Sequence, residues 1–163
     1  MQELYLKKLN SILGEITLIS SNRGIHRLLW QDEQEEIKKY SQTIRTKSSS
    51  EILRNTETQL KEYFSGSRKI FDLPLDISGT FFQRRVWKQI SQIGFGETLS
   101  YGELAHLLGD VHKARAVGGA LGKNPVPILV ACHRVIAAKG QIGGFSGGLK
   151  VKRFLLDFEK YQN

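Results

Sequence analysis

Cysteine is almost absent from these 163 residues, occurring once, at Cys132. One thiol cannot close an internal disulfide, and it excludes a structural zinc site built on cysteines. A reducing cytoplasm is therefore the expected location. No apolar run approaches the ~18 residues that a membrane span requires. The first residues, Met1 to Lys8, include an early acid, lack an apolar segment and offer no small-residue cleavage site, so a signal peptide is not expected. Acidic residues are scarce in one half only. Residues 79–163 hold 12 Lys/Arg against 5 Asp/Glu, whereas residues 1–78 hold 12 against 11. Nearly all of the net charge of +8 thus lies in the second half, where a polyanion such as nucleic acid is the fitting partner. No internal repeat and no low-complexity tract is present.

What is present reads as two domains, residues 1–78 and 79–163. Ile12–Ile19 and Ile25–Trp30 alternate as strands around the Ser20–Gly24 turn, which predicts a hairpin. The polar stretch 31–48 reads as loop or irregular helix. Ile52, Leu53, Thr56, Leu60, Tyr63 and Phe64 keep helical spacing until Gly66. Phe71–Asp76 is an extended connector, with Pro74 holding it out of helix. The first half is then an α/β module, a small antiparallel sheet with a helix.

The second half is mostly α. Thr80 to Ile93 carries Phe82, Val86 and Ile90 at helical spacing. Ser100-Tyr101-Gly102-Glu103 fits a capping box opening a helix that turns Leu104, Leu107 and Leu108 inward and stops at Gly109. A short helix from Lys113 to Gly122 follows, and the pair suggests a helix-turn-helix. Its Ala114, Val117 and Leu121 form a buried face. Arg115, Gly118, Gly119 and Gly122 lie on or near the other face, and each interior glycine costs about 1 kcal/mol relative to alanine. Close packing against a second helix is one explanation; approach of a DNA backbone or groove is the other, and it fits the charge.

Asn124-Pro125-Val126-Pro127 is a rigid approach to the apolar Ile128–Ala131 and then Cys132. A lone buried cysteine commonly acts as a small hydrophobe. Here His133 and Arg134 follow at once, and such cations lower a thiol pKa and favour the thiolate. Neighbouring residues of a strand point to opposite sides, so a catalytic pair requires either a turn or a water that carries the proton. A histidine base also needs an orienting acid, for which Glu159 on the last amphipathic helix is a candidate. The glycine-rich Gly140–Gly148 fits neither a P-loop nor a dinucleotide fingerprint and reads as a pocket wall or a surface loop.

Ala131-Cys132-His133-Arg134-Val135 resembles the Pro-Cys-His-Arg-Val signature of the O6-alkylguanine-DNA alkyltransferases. The resemblance runs from Gly79 to Glu159 through Ser100-Tyr101, Ala114–Ala120, Asn124–Pro127 and Phe145–Leu149. Tyr63–Leu75 is similar to the family's interdomain region. It implies that Cys132 accepts an alkyl group from O6-alkylguanine in a single irreversible turnover; it leaves open whether O4-alkylthymine is also a substrate. His133 would act through water, oriented by Glu159. Tyr101 would help rotate the nucleotide and donate a proton to guanine, and Asn124 would brace the turn. Arg115 would fill the space left by the flipped base, with Ala114, Gly118, Gly119, Gly122 and Lys123 also at the DNA. Arg134, Val135, Phe145, Ser146 and Gly147 would form the substrate pocket. The resemblance implies minor-groove binding to double-stranded DNA by a monomer, with no metal, cofactor or membrane. Ala131 in place of proline, Phe145 in place of a common tyrosine, and Gly94-Phe95-Gly96 in place of Pro-Tyr-Gly depart from the family pattern and imply an altered rate or substrate range. A cysteine-free lesion sensor, a transcription factor and a cysteine hydrolase are the alternatives; Cys132 opposes the first, the Cys132–Arg134 cluster the second, and Arg115 with its glycine helix the third.

Overall fold

The computed structural model describes residues 2–42, 44 and 50–163. The chain divides into two units, Met1–Ile77 and Ser78–Asn163. In the first, β1 (Tyr5–Ser11), β2 (Gly14–Ser20) and β3 (Ile25–Trp30) form an antiparallel meander in chain order. The first thirty residues thus supply three strands rather than one hairpin. Ile12 and Leu13 lie in the turn between β1 and β2, where Gly14 at φ +99° reverses the chain, and Ile12 is 70% exposed.

Central β2 is buried on both faces, so both must be covered. Lys7 of β1, which stands opposite Leu18, pairs with Glu57 of α2 (Glu51–Phe64) at 2.8 Å, and α2 packs across β1 and β2. On the opposite face Ile19 and Leu29 pack with Ile37 of α1 (Gln34–Ser41). This helix lies within the polar stretch read as loop or irregular helix. Glu35 and Glu36 in its first turn and Lys38 and Lys39 in its last complement the helix dipole. The rest of that stretch falls partly outside the described residues. α2 ends in a Schellman motif, with the Ser67 amide donating to Glu62 O and the Gly66 amide to Tyr63 O, each at 3.0 Å. The connector returns to the sheet: Ile25 N donates to Pro74 O and Asp76 N to Ile25 O, both at 2.8 Å.

In the second unit α3 (Phe81–Ile90) and α4 (Tyr101–Leu107) each open on a complete capping box, Thr80 with Gln83 and Ser100 with Glu103. A 3-10 turn, Val111–Lys113, leads into α5 (Ala114–Gly122), which packs on α3 and α4. Leu107 does not point inward as expected but is 54% exposed. α4 turns Leu104 and Ala105 inward, and Leu108 is half-buried, which leaves Leu107 off the buried stripe. Two short parallel strands, β4 (Leu99–Ser100) and β5 (Val135–Ile136), set the start of α4 beside the segment after Cys132. α6 (Leu149–Gln162) closes the chain and buries Lys152, Leu155 and Glu159, spaced i, i+3 and i+7 on one face.

Candidate active site

Asn124 organises the approach to the cysteine. Its Oδ1 accepts from Val126 N at 3.0 Å, and its Nδ2 donates to Val130 O at 2.8 Å. Between these anchors Ile128 takes φ +72°, a conformation that β-branched residues rarely adopt, and a fixed frame is needed to hold it. Ala131, at φ −79° and ψ 62°, is the centre of an inverse γ-turn closed by Cys132 N donating to Val130 O at 2.8 Å. Cys132–Arg134 is a 3-10 turn rather than continuous strand, so the alternation that would set His133 on the side opposite Cys132 does not apply.

Behind the cysteine lies a buried charged cluster. His133 Nε2 is 2.7 Å from Glu159 Oε1. Arg134 holds the same carboxylate bidentately, Nε to Oε2 at 2.8 Å and Nη2 to Oε1 at 2.9 Å, and its Nη1 donates to Ile93 O at 2.6 Å. Burial acts to raise the Glu159 pKa, but the hydrogen bonds from His133 and Arg134, together with the Arg134 charge, prevail and hold it well below the carboxylate range. Because Glu159 is ionised, Nε2 of His133 carries the proton it donates, leaving Nδ1 as an acceptor. That Nδ1 is buried and has no partner among the described residues. Burial, above all, lowers the His133 pKa, so the ring is neutral.

Cys132 faces a cavity of about 290 Å³ lined by Tyr101, Gly118, Leu121, Gly122, Gly144, Phe145 and Ser146. The thiol is not the ready thiolate expected from its cationic neighbours. Burial pushes its pKa up to about 11, against the lowering by an Asn124 hydrogen bond and the Lys152 charge. Arg134 does not compensate because Glu159 engages its charge. Burial likewise raises the Tyr101 pKa, so its hydroxyl is protonated.

Of the residues expected in the pocket, Phe145 and Ser146 line it, whereas Arg134, Val135 and Gly147 do not. Arg134 is turned away to Glu159, and the Val135 carbonyl accepts from Lys152 Nζ at 2.6 Å. On α5, Val117 and Leu121 are buried and Ala114 is half-buried. Arg115 and Lys123 are exposed. A Cβ on Gly119 or Gly122 would meet nothing within 4 Å among the described residues, and one on Gly118 would touch only the Tyr101 ring at 3.8 Å. Packing within the chain thus does not explain these glycines. Lys152 was missed by the sequence reading. Its signal was a register match with Leu155 and Glu159 on the inward face of α6.

The parts are those of a buried cysteine nucleophile: a pocket, a histidine–carboxylate pair behind the thiol, and a small-residue helix beside its mouth. Residues 4–77 match the family described as 6-O-methylguanine DNA methyltransferase, ribonuclease-like domain. Residues 81–161 match 6-O-methylguanine DNA methyltransferase, DNA binding domain. The methylated-DNA–protein-cysteine methyltransferase of Methanosarcina acetivorans is 36% identical over 156 residues, 96% of this chain and 98% of that protein. That of Mycobacterium tuberculosis is 53% identical over 102 residues, which are 63% of this chain and 62% of that protein. The crystal structure of the M. tuberculosis protein OGT in complex with DNA aligns with a TM-score of 0.87 at 37% identity, covering 97% of this chain and 94% of that one. The chain belongs to the methylated-DNA–protein-cysteine methyltransferase family.

Proposed function

We propose that this chain repairs double-stranded DNA by moving a methyl or larger alkyl group from O6 of guanine, with O4-alkylthymine as a further substrate, onto Cys132, once per molecule. The observation that carries the reading is the Cys132 thiol at the end of a pocket with neutral His133 held by Glu159 behind it. The S–C bond forms as the C–O6 bond breaks. The thiol proton passes through a bridging water to the unpartnered Nδ1 of His133, and a proton from Tyr101 neutralises the departing guanine. The thioether has no second thiol to resolve it, because Cys132 is the only cysteine. The reaction therefore ends there, without metal or cofactor.

A base inside a duplex cannot reach this pocket, so it must be flipped out at a cost of a few kcal/mol. α4, the 3-10 turn and α5 serve as a helix-turn-helix lying in the minor groove. The open Gly118–Gly119–Gly122 face admits the backbone, Arg115 fills the vacated stack, and Ala114 and Lys123 lie alongside. Phe145, Ser146 and Gly147 bound the base, the Val135 carbonyl accepts from it, and Arg134 serves the pocket indirectly by holding Glu159. The chain works as a monomer in the cytoplasm, with residues 79–163 as the reacting domain and residues 1–78 as its support. No described helix is long and apolar enough to cross a membrane.

The test is intact mass spectrometry after incubation with a duplex carrying O6-methylguanine. A gain of one methylene, saturating at one per chain and abolished in Cys132→Ser, is expected. Tight binding without gain would replace this reading with lesion sensing, and repeated turnover would refute the single-use mechanism.

A further inference from the structure

Lys152 is fully buried although it belongs to a chain with exposed surface for all its charges, and the reaction outlined above gives it no role. An ammonium is costly to bury, and methionine or leucine would fill the same space without that cost. Its contacts indicate what the charge does. Nζ donates to Val135 O at 2.6 Å, the residue directly after the Cys132–Arg134 turn, and to Gly144 O at 3.1 Å, in the loop that walls the pocket. The same Nζ stands 5.9 Å from the centre of the Tyr101 ring. The Gly144 backbone hydrogen-bonds the Tyr101 hydroxyl, and at Gly143 (φ +72°) a Cβ would lie only 2.7 Å from that oxygen. One cation thus joins the cysteine turn, the glycine loop and the tyrosine.

We propose that Lys152 is a positioning residue for alkyl transfer: by tying the Val135 and Gly144 carbonyls together, it fixes the Tyr101 hydroxyl and the 143–146 loop relative to the Cys132 sulfur. The inference rests on the reading of Cys132 as acceptor and Tyr101 as proton donor. Lys152 hydrogen-bonds the two carbonyls and not the sulfur, which feels only its charge, and it positions the site through those carbonyls. Reactions that depend on aligned groups lose rate steeply when the alignment relaxes by about 1 Å, even where binding survives. Lys152 therefore governs the transfer step rather than affinity for DNA.

The experiment is single-turnover transfer from an O6-methylguanine duplex at saturating DNA, with Kd measured separately on an unmodified duplex. Lys152→Met is expected to slow transfer by about tenfold or more while Kd stays within about threefold. Combined with Tyr101→Phe, the loss is expected to fall well short of the product of the two single losses, because each variant disables the same proton donor. Should Lys152→Met fail to fold, Lys152→Gln, whose neutral side chain is one atom too short to tie both carbonyls, enters the same cycle. An unslowed transfer, a loss confined to Kd, or losses that multiply would overturn the proposal. A Tyr101→Phe variant that transfers at full rate would overturn the tyrosine reading and this inference with it. Methyl uptake by Cys132→Ser would instead overturn the proposed function.

Discussion

Replacing Glu159 by glutamine separates the stability role of the buried cluster from its chemical one. The carboxylate receives His133, both arms of Arg134 and the Gly96 amide, the last at 3.2 Å. Glutamine is isosteric and keeps one acceptor, but it leaves the Arg134 guanidinium, 7% exposed, without a counter-charge. Removing one member of a buried pair costs about 3–5 kcal/mol, because the remaining charge stays desolvated. Glutamine retains a partner for one N–H, so the lower end, about 3 kcal/mol, is expected for Glu159→Gln. With a urea slope of roughly 1–3 kcal/mol/M, the unfolding midpoint should fall by about 1–3 M. The double variant Arg134→Met with Glu159→Leu removes both charges and should recover most of that loss, since apolar replacement of a whole buried pair is often neutral. It cannot recover methyl transfer, because His133 then lacks its orienting carboxylate. Equilibrium urea unfolding gives the first quantity and single-turnover methyl transfer the second. A loss below about 1 kcal/mol, the range of exposed ion pairs, would refute the buried-pair account. Transfer restored in the double variant would refute the role given to Glu159.

Acid should destabilise the protein through the same cluster. The His133 and Glu159 pKa values are both lowered by folding, so the unfolded chain binds protons first and stability is lost as pH falls. The loss begins near the unfolded histidine value of about 6.5 and steepens near the unfolded carboxylate value of about 4.3. Thermal unfolding at a series of pH values reads it; His133→Gln should flatten the first part, and an unchanged profile would contradict the assignment. Arg115→Ala should reduce flipping and transfer together, measured by 2-aminopurine fluorescence and mass gain, with folding unchanged because Arg115 is exposed. Gly119→Ala should stabilise the fold by about 0.5–1 kcal/mol, since α5 gains helix propensity and the new methyl meets nothing within 4 Å among the described residues. The same change should weaken DNA binding, and unimpaired affinity would show that the glycine face is not where the duplex lies.

The architecture was legible where apolar periodicity and capping agreed. Ser100 starts α4 with the expected capping box, the helix expected from Thr80 on spacing alone begins there, and Gly66 ends α2 where the spacing stopped. β1 was missed because Lys7, Lys8 and Asn10 interrupt its apolar residues, and α1 stayed undecided between loop and irregular helix because its sequence is charged on nearly every side. Both elements need the other layer of the sheet to explain their burial. At the site, adjacency in sequence brought out Cys132, His133 and Arg134, and helical register offered Glu159. What adjacency could not reveal was direction. Arg134 turns away from the thiol, and its charge is spent on Glu159 rather than on the sulfur. Lys152, twenty positions later, supplies the positive charge that Cys132 feels.

That redistribution bears on how a single-use thiol survives until it is needed. With its pKa near 11, Cys132 is about four orders of magnitude from being a thiolate at pH 7, a penalty of about 5 kcal/mol. A nucleophile that had to ionise before attack would carry that whole penalty into its barrier. The concerted proton transfer to Nδ1 of His133 proposed above would avoid it, because charge would then pass to a ring already held by an ionised carboxylate. The penalty applies in full to any electrophile that arrives without aligning the proton path, so burial protects the thiol from stray alkylation. It follows that raising the pH should accelerate reaction of Cys132 with iodoacetamide nearly tenfold per unit between pH 7 and 9. Transfer from O6-methylguanine in duplex DNA should rise far less over the same interval. Parallel pH slopes for the two reactions would show that the free thiolate is the attacking species and that His133 takes no part in its formation.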